Sequence, residues 1–191
     1  GMGKTFLVRE ILKRCQPGGA WHNDDVLAAQ TEVDLYHTDT HSIEGLMRAL
    51  QAALQDGTAC FETYNERAKR FESLKYDLSS AVKALEQERS ALSQTFLEDL
   101  DELCGQKRII LALDTAEKLI YENERVQKIL GSDEKGAGVR NWLINALLPR
   151  LKNAVVLIAG RPRPPQLRED LRRTLGDTLV ETSLDELGEE D

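Results

Sequence analysis

The sequence predicts an α/β protein built on a parallel sheet. Three observations lead there. Ile109–Leu113 and Ala154–Ala159 are continuous apolar runs, as a strand buried on both faces carries. Segments with apolar residues three and four apart stand between and beside them. A Gly3-Lys4-Thr5 triplet opens the first such segment. Strands alternating with helices lead to a parallel sheet with crossover helices.

Residues 1 to 15 read as the back half of a phosphate-binding loop running into a helix. Gly3-Lys4-Thr5 close the motif G-x-x-x-x-G-K-[ST], and Gly1 and Met2 are its last two variable positions. The first glycine and its preceding strand are expected upstream of residue 1. Glycines let backbone N–H groups turn inward around a phosphate. The helix that follows directs its positive end at the same anion. In such a loop Lys4 reaches the β- and γ-phosphates and the Thr5 hydroxyl holds Mg²⁺. Phe6, Leu7, Val8, Ile11 and Leu12 give the helix an apolar face.

Gln16-Pro17-Gly18-Gly19 breaks that helix, and residues 20 to 32 are polar and irregular. Val33–His37 alternates and is expected as a short strand, with Ser42 capping the next helix. Leu46, Leu50, Ala53 and Leu54 mark that helix, which stops near Gly57. Residues 61 to 103 form a long helical region whose apolar spacing lapses at Arg89. Ser79 or Ser80 divides it. Two amphipathic helices packed on a core are favoured over a coiled-coil partner surface, because the repeat is irregular and short. After the Ile109–Leu113 strand comes a charged stretch, then a flexible segment from Gly131 to Gly138. Val139–Leu151 is expected as a helix, Ala154–Ala159 as a strand and Gln166–Leu175 as a helix. Thr178–Thr182 is expected as a last short strand, and the acidic tail 185–191 as a frayed end.

The chain has 191 residues, enough for one domain with its own core. Its 25 basic and 33 acidic residues give a formal net charge of -8, which disfavours a sequence-independent nucleic-acid surface. No apolar run approaches the roughly 20 residues of a membrane helix. Cys15, Cys60 and Cys104 lack C-x-x-C spacing, so neither a zinc site nor a disulfide framework is expected and a reducing cytoplasm is the simplest location.

A carboxylate just after a buried parallel strand stands at the carboxyl edge of the sheet, where ligands bind in open α/β folds. Asp114 is therefore suited to hold Mg²⁺. Glu117, three residues on, is placed to polarise an attacking water. Arg161 ends the next apolar strand at the same edge and can reach a γ-phosphate, with Arg163 as a second candidate. The alternatives are a helix cap for Asp114, a solvated helix residue for Glu117 and a proline-rich surface loop for Arg161.

Together these stretches resemble a P-loop NTPase of the STAND/AAA-like type. Gly1-Met2-Gly3-Lys4-Thr5 corresponds to Walker A, Ile110–Glu117 to Walker B, and Trp142 through Val155 to Arg161 to the sensor strand, in the family's order and covering nearly the whole chain. The acids Asp114 and Glu117 are separated by Thr115 and Ala116 rather than adjacent. The resemblance implies a single three-layer P-loop core across residues 1–191, with a helical insertion before the Walker B strand. It implies that ATP is cradled by Gly1, Met2, Gly3, Lys4, Thr5 and Phe6, and Mg²⁺ by Thr5 and Asp114. Glu117 and Arg161 become the catalytic pair. Slow ATP hydrolysis coupled to a change of shape is the implied activity, within a larger parent chain and with a homo-oligomer as one possible assembly. A module of another class, silent toward nucleotide and recruiting partners through its 61–103 helices, is the competing reading.

Overall fold

In the computed structural model the described residues are 2–54, 59–76, 82–120, 135–161 and 165–183. Helix α1 (Met2–Cys15) leads to strands β1 (Val26–Ala28) and β2 (Val33–Asp34), then helices α2 (Ile43–Ala53), α3 (Glu62–Tyr76) and α4 (Val82–Gln106). Strand β3 (Arg108–Asp114), helix α5 (Lys135–Trp142), strand β4 (Ala154–Ile158) and helix α6 (Gln166–Leu175) complete the order.

All four strands are parallel and all pair through β3. β4 runs along one edge of it, from Ile109↔Ala154 to Leu113↔Ile158. β1 and β2 overlap that stretch, so they share the other edge as two pieces of one interrupted strand. Five steps from Ala28 to Val33 match only three from Ile110 to Leu113, which makes residues 29–32 a bulge. Two of its amides have backbone acceptors: Ala29 N–H donates to the Ile110 carbonyl at 2.8 Å and Gln30 N–H to that of Ala53 at 2.7 Å. Residues 20–32 are thus not irregular throughout. Val26-Leu27-Ala28 is too short a run to announce a strand by itself, and the ladder of β3 recruits it.

Val33–His37 was expected as one strand, but the ladder holds only Val33 and Asp34. The Asp34 carboxylate accepts the Tyr36 N–H at 2.9 Å, a local bond that turns the chain out of the sheet into a 3₁₀ turn over Thr38–His41. Ser42 caps α2 as expected, its Oγ accepting the Gly45 N–H at 3.1 Å. Gly45 is required by space: a β-carbon there would stand 1.6 Å from the Asp39 carbonyl oxygen.

The 61–103 region consists mainly of α3 and α4, which pack on each other. Residues 77–81, with Ser79 and Ser80, and residues 55–58, with Gly57, lie outside the described set. The lapse at Arg89 has a physical reason. Arg89 Nε reaches the largely buried Glu44 carboxylate of α2 at 2.5 Å, so an ion pair replaces an apolar contact. Phe61, Tyr64, Phe96 and Trp142 form an aromatic cluster with centroids 5.1–6.4 Å apart. Burial pushes the Tyr64 phenol up to about 12. Asp99 of α4 accepts the Tyr64 N–H at 2.9 Å and so serves an otherwise orphaned first-turn amide of α3.

Two further expectations are corrected. Gly136 and Gly138 fall within α5, which continues through a π turn at Leu143–Leu147 and a 3₁₀ turn at Leu148–Arg150; residues 131–134 lie outside the described set. Thr178–Thr182 is no strand: a 3₁₀ turn covers Gly176–Thr178, and residues 179–183 belong to no helix or strand. Arg168 and Arg172 of α6 grip Glu181, which fastens this segment to its own helix. The acidic tail 185–191 lies outside the described residues. The core gathers Leu12, Leu35, Leu46, Leu50, Ile109 and Leu111 with the aromatic cluster.

Candidate functional site

A parallel sheet brings the carboxyl ends of its strands to one edge. Here that edge carries Asp34 from β2, Asp114 from β3 and the Ala159–Arg161 segment after β4. The start of α1 comes to the same place. Thr5 Oγ1 donates to Asp114 Oδ2 at 2.5 Å, although 109 residues separate them in sequence. By the two-residue alternation of a strand, Asp114 shares its face of β3 with Ile110 and Ala112. The helix is seated by Val8 and Leu12, both buried, and it packs on β1 and β3. Thr5 and Asp114, singled out separately in the sequence, are thus brought together.

Asp114 is 8% exposed. Its second oxygen, Oδ1, accepts the Thr115 N–H at 2.8 Å. Thr115 has φ +59°, unusual for a β-branched residue, so the chain turns sharply where the carboxylate is fixed. Both the Asp114 carboxylate and the Thr5 hydroxyl are hard oxygen donors, the type Mg²⁺ takes. Among the described residues no group of three or more His, Cys, Asp or Glu side chains is placed to hold a metal ion. Mg²⁺ sites with one or two carboxylates completed by water and phosphate do not need such a cage.

Met2 opens α1, so Gly3, Lys4 and Thr5 lie in its first turn rather than in a preceding loop. The first four N–H groups of a helix have no partner within it. Lys4 is half-buried there. Phe6, carried over with the nucleotide-binding set, is 72% exposed. Gly1 and Arg163 lie outside the described residues, as does the Met2 side chain.

Glu117 and Arg161 are brought to each other. Arg161 N–H donates to Glu117 Oε2 at 3.1 Å, and Arg161 Nε stands 3.4 Å from Glu117 Oε1. The Ala116 N–H donates to the Ala159 carbonyl at 3.0 Å and ties the two segments again. Gly160 makes the approach possible, since a β-carbon there would lie 3.0 Å from Glu117 Oε2.

Sequence reasoning missed two parts of this edge. Asp34 is in register with Asp114 and follows directly from the alternating Val33-Asp34-Leu35 stretch. Arg9 stands one helical turn beyond Thr5 and holds Glu32 of the bulge, with Nε at 2.8 Å. Burial alone would push the Glu32 carboxyl up, but the hydrogen bond from Arg9, a backbone hydrogen bond and the Arg9 charge together outweigh that and leave it below the usual range. The Arg9 guanidinium is raised in turn, first by Glu32 and in lesser degree by Asp114 and Asp34. Nothing in a single sequence pairs residues 9 and 32; the signal is only the i, i+4 spacing from Thr5.

No protein-family model, no curated protein and no solved structure matches this chain. No helix among the described residues is long and apolar enough to cross a membrane.

Proposed function

We propose that this protein binds ATP with Mg²⁺ at the carboxyl edge of its sheet and hydrolyses it slowly as a conformational switch, in the manner of a three-layer P-loop NTPase in the cytoplasm. The observation that carries the reading is the Thr5–Asp114 hydrogen bond. It joins the residue after the lysine of a Gly-Lys-Thr helix start to the carboxylate that ends the central strand. Phosphates would be held by the free amides of the first α1 turn, with Lys4 as the mobile cation and the helix dipole behind them. Thr5 and Asp114 would hold Mg²⁺, which when bound neutralises charge on the phosphate oxygens. Glu117 would orient the attacking water and Arg161 would meet the γ-phosphate. Phe6 would contribute only its backbone, since its ring faces solvent.

The competing reading, recruitment of a partner through the 61–103 helices, has less support. Among the residues whose side chains are described, the large exposed apolar ones are Phe6, Leu7, Trp21, Tyr36, Val155 and Val180, and none belongs to α3 or α4. The test is calorimetric titration with Mg²⁺-ATP. The protein should bind, and Lys4→Ala should abolish binding because it removes the cation that follows the β- and γ-phosphates. Equal affinity in the two proteins would remove the phosphate-loop assignment.

A further inference from the structure

The proposed roles of Glu117 and Arg161 conflict with where they stand. A carboxylate that is to orient water, and a guanidinium that is to meet a γ-phosphate, are engaged with each other. The engagement has three parts. Glu117 Oε2 accepts the backbone N–H of Arg161, Oε1 faces its Nε, and the Glu117 side chain is only 11% exposed. The Arg161 side chain is 76% exposed, so among the described residues the Glu117 carboxylate holds it at its edge and leaves it open to a competitor. Gly160, between β4 and Arg161, has no conformational need to be glycine here; its role is space. A β-carbon at 160 would meet Glu117 Oε2 at 3.0 Å and the Ala116 β-carbon at 3.2 Å. The tip of the glutamate is the part of that contact most able to move.

We propose that Gly160 and Glu117 form a latch on Arg161, and that the γ-phosphate releases it by offering the guanidinium a stronger anion. The inference rests on the nucleotide reading above and adds a consequence to it. Triphosphate must open the latch in order to engage Arg161, whereas diphosphate binds with the latch closed. The same event frees the Glu117 carboxylate, so sensing of the third phosphate and readiness of the water-orienting group are one step. Gly160 is a positioning residue in this account: it touches neither nucleotide nor water and acts through Glu117.

The experiment compares affinities for ADP and for a non-hydrolysable ATP analogue, both with Mg²⁺, by calorimetry. The proteins are the wild type, Gly160→Ala, Glu117→Gln, Arg161→Ala and the double variant Glu117→Gln/Arg161→Ala. Opening the latch should raise analogue affinity by about 3- to 10-fold, between the scale of an exposed ion pair and that of a charge-assisted hydrogen bond. ADP affinity should stay unchanged in Gly160→Ala. The gain should vanish when Glu117→Gln is made on Arg161→Ala. A gain that persists without Arg161 is general relief of negative charge and overturns the latch, as does an equal gain for ADP or no gain at all. Should Gly160→Ala fail to fold, Glu117→Gln and the double variant still decide. Failure of the wild type to bind either nucleotide overturns the underlying reading, a result distinct from binding without the Arg161 dependence.

Discussion

At the scale of single residues, the informative features are polar groups that sequence distance hides. Thr5 and Asp114 were each legible alone, one from a motif and the other from its place after an apolar run. Their contact was an inference from topology that the 2.5 Å hydrogen bond makes concrete. Arg9 and Glu32 were not legible, because an arginine on an amphipathic helix and a glutamate in a polar stretch are ordinary residues until the bulge brings them together. Glu32 also gives a pH prediction. Its folded carboxyl lies below the usual range, so its stabilising effect is present above the ordinary glutamate value and is lost as pH falls through the depressed folded value. Urea unfolding of the wild type and Glu32→Gln should show a stability gap near neutral pH that narrows as the pH falls below the ordinary glutamate range. A gap of constant size across that range would mean that Glu32 acts by packing and not by charge.

At the scale of elements, strong periodicity is legible in the sequence and short ladders are not. α2 and α6, the α3–α4 helices and the apolar strands β3 and β4 follow from apolar spacing and run length. β1 is three residues long and β2 two, and such pieces exist only because β3 offers them a parallel edge. The reverse error at Thr178–Thr182 has the same origin. An alternating stretch becomes a strand only beside a free ladder, and here Arg168 and Arg172 hold it to α6. The entry to α2 is the most sharply constrained of these elements. Ser42 caps it, and Gly45 lets the 3₁₀ turn at Asp39 pack against its first turn. Gly45→Ala should therefore cost about 1–3 kcal/mol, the scale of overpacking a tight site, although alanine is the better helix former. Denaturant unfolding measures it directly, and an unchanged or higher midpoint would show that the Asp39 turn yields freely.

At the scale of the whole molecule, the fold converts chain order into a site. β3 lies between the β1–β2 strand and β4, so residues near 34, 114 and 160 reach one edge of one sheet, and α1 brings residues 4 and 5 to it. The parallel α/β class was legible because two continuous apolar runs carry it, although only β3 is buried as such a run predicts, while β4 is half-buried with Val155 48% exposed. The partners within the site were less so, since they depend on register and on how α1 docks, and neither is written in local spacing. What that edge binds is the central claim, and the Mg²⁺ dependence of ATP binding in the wild type and in Asp114→Asn tests it most directly. Asparagine keeps the shape of the side chain and can still meet the Thr5 hydroxyl, but it removes the charge a divalent cation requires. Calorimetric titrations with and without Mg²⁺ should show that Mg²⁺ strengthens ATP binding to the wild type by roughly 10-fold or more and has little effect on Asp114→Asn, while affinities without Mg²⁺ stay close. An equal Mg²⁺ enhancement in both proteins would contradict the account and leave Asp114 as a structural partner of Thr5 and Thr115.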